Sequence, residues 1–171
     1  MIPNPSHIEY FRFEEDFIED NLRCIPMIVR LKLDTIGIKL PLKAWSRFGE
    51  AERTKLAINP CETEKEVLNY KKQVLEYANR HAIEDLKILR TGEKPFWDNP
   101  DSIPEPLIEK FNDIKKKISI TQWKSLTNLQ RFALVKLSRP GHESKNFKKA
   151  LLEFGLFNNC LLYTSPSPRD S

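Results

Sequence analysis

Apolar side chains recur along most of the chain at spacings of three and four residues, with charged residues between them. That is the pattern of helices that bury one face. Leu107, Ile108, Phe111 and Ile114 fall at i, i+1, i+4 and i+7, and Leu129, Phe132, Ala133 and Leu137 at i, i+3, i+4 and i+8. Ile28, Val29, Leu31, Leu33 and Ile36 form a denser run after Pro26. Gly37 is placed to close that run in the left-handed conformation. Pro26 and Pro104 suit the first helical position, whose N–H would be unpaired anyway. A longer pattern over residues 67–89 predicts a helix opened by the capping box Thr63-Glu64-Lys65-Glu66, with a break near Asn79-Arg80-His81 and a stop at Gly92. Thr127-Asn128-Leu129-Gln130 has the same capping form, and Phe147, Ala150, Leu151 and Phe154 predict a last helix that ends at Gly155. Lys39-Leu40-Pro41-Leu42 and Lys117-Ile118-Ser119-Ile120 read as short extended links. Residues 94–100 read as an ordered loop, because Phe96 and Trp97 need burial.

The pattern returns without a gap. Ile25-Pro26 reappears as Ile103-Pro104, an offset of 78 residues. The same offset pairs Lys32 with Lys110, Ile36 with Ile114, Lys39 with Lys117, Trp45 with Trp123, Arg53 with Arg131 and Leu56 with Leu134. We read residues 25–58 and 103–136 as two copies of one helical unit, joined by the longer helix and each covering the other's apolar face. The expected fold is all-α: a single multi-helix domain over residues 1–158 with an internal duplication. Trp45 and Trp123 are its expected twin core anchors.

Composition narrows the class. The 171 residues carry 28 Lys and Arg against 24 Asp and Glu, a formal charge of +4. Charged residues make up 30% with both signs interspersed, as on the solvated faces of amphipathic helices, so no polyanionic partner is needed to explain the balance. No apolar run approaches the roughly 20 residues of a membrane span. The first residues lack the basic start and apolar stretch of a signal peptide. These features lead us to expect a cytoplasmic protein. Three Cys without CxxC spacing argue against a disulfide framework or a zinc site. From Cys160 the chain reads Cys-Leu-Leu-Tyr-Thr-Ser-Pro-Ser-Pro-Arg-Asp-Ser, of which Cys160 to Asp170 matches codon by codon the translation of a sequencing-library adapter. We therefore treat residues 160–171 as a disordered, non-native tail. Cys24 and Cys61 then remain.

Chemistry-bearing motifs are sparse. His7, His81 and His142 have no second ligand at metal-binding spacing. There is no glycine-rich phosphate loop and no GxSxG nucleophile motif. Cys24 precedes a helix start, where the dipole could activate a thiol, but a buried structural thiol is the plainer reading for it and for Cys61. Glu14-Glu15-Asp16 with Glu19 and Asp20, interleaved with Phe11, Phe13 and Phe17, is expected to be the solvated side of an amphipathic element. Lys115-Lys116-Lys117 and Lys145, Lys148 and Lys149 are expected to be solvated helix faces. A nucleic-acid-binding regulatory module would need them to form one continuous face. An enzyme would need Cys24 and His142 to converge. The string Arg139-Pro140-Gly141-His142-Glu143 reads either as a structural corner or as a contact site.

Two long strings add an identity to this pattern. Phe13-Glu14-Glu15-Asp16-Phe17 is followed by Leu22-Arg23-Cys24-Ile25-Pro26-Met27-Ile28-Val29-Arg30-Leu31-Lys32-Leu33-Asp34. Gln122-Trp123 is followed by Leu129-Gln130-Arg131-Phe132-Ala133-Leu134-Val135-Lys136-Leu137-Ser138-Arg139-Pro140-Gly141-His142-Glu143 and Asn146-Phe147. Both resemble the nitrate reductase-associated protein family, found mostly in cyanobacteria. The resemblance covers nearly all of residues 10–156. It implies a non-catalytic accessory or maturation factor in nitrate assimilation, acting by contact with the molybdenum-cofactor nitrate reductase or with its cofactor-delivery machinery. It brings no catalytic residue, metal or cofactor to this chain. Arg23, Arg30, Arg139, His142 and Glu143, polar groups set among apolar helices, are the candidate contact positions.

Overall fold

The structure, a computed structural model, describes residues 8–89, 96–139 and 145–156, with the side chains of Phe17 and Phe96 left aside. The adapter-like stretch, His7, His142 and Glu143 lie outside the described residues. The fold is all-α apart from one two-stranded sheet. The chain divides into two compact units, Met1–Glu93 and Lys94–Ser171; residues 25–58 lie in the first and 103–136 in the second.

In the first unit a 3-10 turn, Arg12–Glu14, leads into α1 (Glu15–Glu19). Then come α2 (Met27–Ile36), β1 (Ile38–Lys39), α3 (Leu42–Arg47), α4 (Glu50–Ile58), α5 (Glu64–Arg80) and β2 (Lys87–Ile88). α2 packs on α4 and α5. Val29 and Leu33 on α2, Leu56 on α4 and Val74 on α5 are buried, as are Trp45, Phe48 and Tyr77. Helix ends follow local chemistry. Gly37 closes α2 at φ 74°, the left-handed cap that glycine adopts without a Cβ clash. Thr63 opens α5: its hydroxyl accepts from the Glu66 amide, and Glu66 accepts in return from the Thr63 amide.

The second unit holds a 3-10 turn, Phe96–Asp98, then α6 (Glu105–Asp113), α7 (Ile120–Ser125), α8 (Asn128–Ser138) and α9 (Phe147–Glu153). α8 is its centre and packs on α6, α9 and the 3-10 turn. Leu129, Phe132, Ala133 and Leu137 are buried as their spacing predicts. Trp97 is buried edge-on against Phe132, and Phe111 edge-on against Phe147.

The offset of 78 recurs in where the helices begin. α2 and α6 begin at Met27 and Glu105, α3 and α7 at Leu42 and Ile120, α4 and α8 at Glu50 and Asn128. Trp45 and Trp123 have no exposed surface, as core anchors should. The Trp45 indole N–H donates to the Leu22 carbonyl at 2.8 Å and that of Trp123 to the Asn99 carbonyl at 3.1 Å. Arg53 donates to the Phe48 carbonyl and Arg131 to the Leu126 carbonyl, again 78 residues on. Lys115, at φ 58°, takes the left-handed position that Gly37 holds in the first unit.

Several expectations are corrected. Pro26 and Pro104 are N-caps with extended ψ, one residue before the first helical position. The pattern over residues 67–89 does not stay helical beyond His81. Ile88 instead pairs with Ile38, and Lys87 with Lys39, in the antiparallel β1–β2 ladder. Ile108 is exposed and Ile114 only half-buried, so the stripe on α6 is narrower than its apolar spacing. Lys115, Lys116 and Lys117 follow α6 in a turn and extended link rather than on a helix face. Glu14 is not solvated: it is 2% exposed, and its carboxylate accepts from the Met27 amide at 2.7 Å and the Phe11 amide at 3.1 Å. A carboxylate suits that place because the first amides of α2 have no helical partner and carry the positive end of its dipole.

Candidate functional site

The candidate contact residues take up different structural roles. Arg23 is exposed and pairs with Asp20 at 3.5 Å, a surface ion pair of small energetic weight. Arg30, on α2, turns its Nε back to the Ile25 carbonyl at 3.0 Å. Arg139 is exposed and caps the end of α8. Cys24 is half-buried, and its proposed partner His142 lies outside the described residues. Among the described residues no three His, Cys, Asp or Glu side chains gather as a metal site would require.

A buried cation in the first unit is one that sequence reasoning missed. Lys32 leaves the apolar face of α2 and donates to the carbonyls of Ala57 at 2.9 Å and Asn59 at 2.6 Å. These are the last acceptors of α4, where the helix dipole favours a cation. The ammonium also lies over the Tyr70 ring at 5.7 Å from its centre. Tyr70 in turn donates to the Leu56 carbonyl at 2.6 Å, and burial raises its phenol well above the usual value. Burial brings the Lys32 ammonium down to about 8, and drives the Cys61 thiol up to about 11. Cys61 is therefore a protonated, inert thiol whose S–H faces the Lys32 carbonyl at 3.9 Å. A lysine titrating near 8 has a pKa suited to proton transfer, but this one spends its donors on two carbonyls. The signal in the sequence was the recurrence of Lys at 32 and 110 inside apolar helices; Lys110 lies over Phe147 at 5.8 Å.

The pH dependence of stability reports on this cluster. Unfolded, Lys32 titrates near 10.5; folded, near 8. Between those values the unfolded chain holds a proton that the folded chain has released, so its contribution to stability increases with pH. Cys61 acts the other way: its contribution is full below pH 9 and is lost as pH rises to about 11. The clean window is pH 8 to 9. There Lys32→Met is expected to remove a rise in unfolding free energy that the wild type shows in denaturant titrations. Equal slopes in the two proteins would mean that Lys32 keeps its proton throughout.

A second polar cluster joins α4 to the end of α5. Glu52 accepts from the Gly49 amide at 2.7 Å, from Arg80 at 2.7 Å and pairs with His81 Nε2 at 2.6 Å. Burial acts to raise its pKa, but these partners outweigh it and hold the carboxyl below its ordinary value. Phe48 lies against the His81 ring, and Arg47 donates to the His81 carbonyl. An open cleft of about 200 Å³ adjoins, lined by Lys43, Ala44, Arg47 and residues 82–85. A carboxylate-oriented histidine is a common catalytic part, yet no described nucleophile accompanies it. The cluster acts as a clasp: it satisfies the N-terminal amide of α4 and ties the last turn of α5 to it.

The arrangement is that of helices fastened to one another by their polar groups. The comparisons agree with the sequence strings. A profile described as conserved nitrate reductase-associated protein matches residues 10–154. No curated protein and no solved structure matches the chain. The matched span covers most of the chain, residues 25–58 and 103–136 included, and the chain therefore belongs to the nitrate reductase-associated family.

Proposed function

We propose that the protein is a non-catalytic accessory or maturation factor for assimilatory nitrate reductase, working in the cytoplasm by protein–protein contact. Its partner is the reductase itself or the machinery that delivers the molybdenum cofactor. The observation that carries this reading is the family match over residues 10–154. Two further features support it. The buried charged side chains among the described residues, Glu14, Lys32 and Arg131, hydrogen-bond to backbone groups of the segments they join. No helix among the described residues is long and apolar enough to cross a membrane.

Deleting the gene tests the reading directly. Nitrate reductase activity in extracts is expected to fall several-fold, while the reductase polypeptide persists on immunoblots. The tagged protein is expected to co-purify with the reductase or a cofactor-delivery protein, with a yield that changes when molybdopterin synthesis is blocked. Full reductase activity in the deletion strain would refute the reading.

A further inference from the structure

Each unit exposes an aliphatic side chain at the same place. Leu42 and Ile120 are the first residues of α3 and α7, 78 residues apart, and are 53% and 41% exposed. A lysine stands three residues before each, Lys39 and Lys117, and both are exposed. One aliphatic side chain on a surface needs no explanation. The recurrence does. The other pairs exposed in both units differ: Lys43 corresponds to Thr121, Ser46 to Lys124, Arg47 to Ser125, Gly49 to Thr127 and Glu50 to Asn128. Recurring residues elsewhere, such as the Trp45–Trp123 and Leu56–Leu134 pairs, are buried and needed by each core.

Folding gives no reason for this exposed pair. A half-exposed aliphatic side chain at a first helical position buries little and caps nothing. A lysine just before a helix start lies at the positive end of the dipole. In the first unit Lys39 also stands opposite Lys87 across the β1–β2 ladder, a like-charge pairing that costs stability. In the second unit Lys117 follows Lys115 and Lys116. Neither Lys39 nor Lys117 has an ion-pair partner among the described residues. Residues 39–47 and 117–125 contain no Asp or Glu, in a chain that elsewhere mixes both signs. Each unit thus presents an aliphatic knob in a cationic setting with its counter-charge missing.

We propose that these two points, Lys39 with Leu42 and Lys117 with Ile120, are docking contacts for an acidic protein partner. Its chemistry follows from theirs: an apolar seat for Leu42 or Ile120, with carboxylates beside it for the lysines. A nucleic acid fits less well, because an aliphatic side chain offers no ring on which a base can stack. The surface stands on the repeat; only the partner's name rests on the functional reading above.

The test replaces Leu42, and separately Ile120, with photoreactive benzoyl-phenylalanine in cells. Leu68, 65% exposed on α5 outside the repeat, is the control position. The expected result is one and the same protein cross-linked from positions 42 and 120 and not from 68, identified by mass spectrometry. The purified partner is then titrated with the full-length chain. Lys39→Glu with Lys117→Glu, and Leu42→Ser with Ile120→Ser, are each expected to weaken binding at least tenfold while the circular dichroism melt does not fall. No cross-link, cross-links to nucleic acid, to the chain itself or to unrelated proteins at the two positions, or unchanged affinity in both double variants, would overturn the proposal. A cross-linked partner unconnected with nitrate reductase would overturn the functional reading and leave the docking surface standing.

Discussion

Replacing either repeat tryptophan by alanine is expected to remove most of the stability of its unit. Trp45 and Trp123 are completely buried, and truncating a buried aromatic of that size costs about 3–5 kcal/mol through lost transfer energy and the cavity left behind. The indole N–H adds to this. In Trp45→Ala the Leu22 carbonyl loses its donor at 2.8 Å, and in Trp123→Ala the Asn99 carbonyl loses one at 3.1 Å. Leaving the buried Leu22 carbonyl without a donor costs about 1–3 kcal/mol, and the Asn99 carbonyl, on an exposed residue, costs less. Domains of this size are held together by about 5–15 kcal/mol in all. Thermal melts are therefore expected to move down by more than about 15 °C, since 1 kcal/mol corresponds to about 4–8 °C in a unit of 60–100 residues. Trp45→Phe is the intermediate case: it keeps an aromatic ring beside Phe48 but loses the hydrogen bond and part of the indole's volume. A tryptophan kept as a stacking platform for a ligand would give the opposite result, a melt within about 1 kcal/mol of wild type.

What was legible in the sequence was what local chemistry decides. Thr63 with Glu66, Thr127 with Gln130 and Gly37 are caps set by residues within four positions of one another, and each occurs where it was expected. Pro26 was misplaced by one residue because an N-cap and a first helical residue share a φ near −65°; they differ in ψ, which proline does not fix. Leu86 and Leu89 read as helical because nothing near them announces a strand. The cause lies some 50 residues away, where Ile38 and Lys39 offer an open edge that residues 87 and 88 fill. Glu14 was hidden for the same reason, since the amide that draws it inward belongs to Met27.

The candidate site divides along the same line. Lys32 is recognisable as buried only once α4 ends beside it and supplies the Ala57 and Asn59 carbonyls. The clasp of Glu52, Arg80 and His81 joins two helices whose spacing in sequence, 28 and 29 residues, carries no periodic signal. The repeat was different, because an offset is visible without knowing what it folds into. Its exposed members are informative for that reason: a core forces its residues to recur, and a free surface does not.

Arg131→Ala is expected to cost about 3 kcal/mol or more, and Arg53→Ala about 1 kcal/mol, although the two arginines occupy the same place in the repeat. Arg131 is buried and serves three backbone carbonyls: Nε donates to Trp97 at 2.8 Å, and one terminal nitrogen donates to Trp123 at 3.2 Å and Leu126 at 2.6 Å. The other terminal nitrogen meets the Asn128 side chain. Burial lowers its pKa, with Asp98 pulling the other way, so the cation is held mainly by neutral acceptors. Truncation removes three bonds from a charged donor, each worth about 1.5–3 kcal/mol; the Leu126 carbonyl loses its donor, while the Trp123 carbonyl keeps the Leu126 amide. Arg53 has one such bond, to Phe48 at 3.0 Å, and its buried Nε has no acceptor at all. The difference is the 3-10 turn at Trp97, which brings a carbonyl to Arg131. Truncating Arg53 removes an unsatisfied donor together with one good bond, and the two effects partly offset. Urea unfolding of the two alanine variants and of Arg131→Lys measures the contrast. Lysine keeps the charge but cannot reproduce the planar fork, so it is expected to recover less than half of the loss. Equal costs for Arg53→Ala and Arg131→Ala would mean that the Trp97 turn does not depend on the arginine, and the account of how α8 holds its unit together would fall.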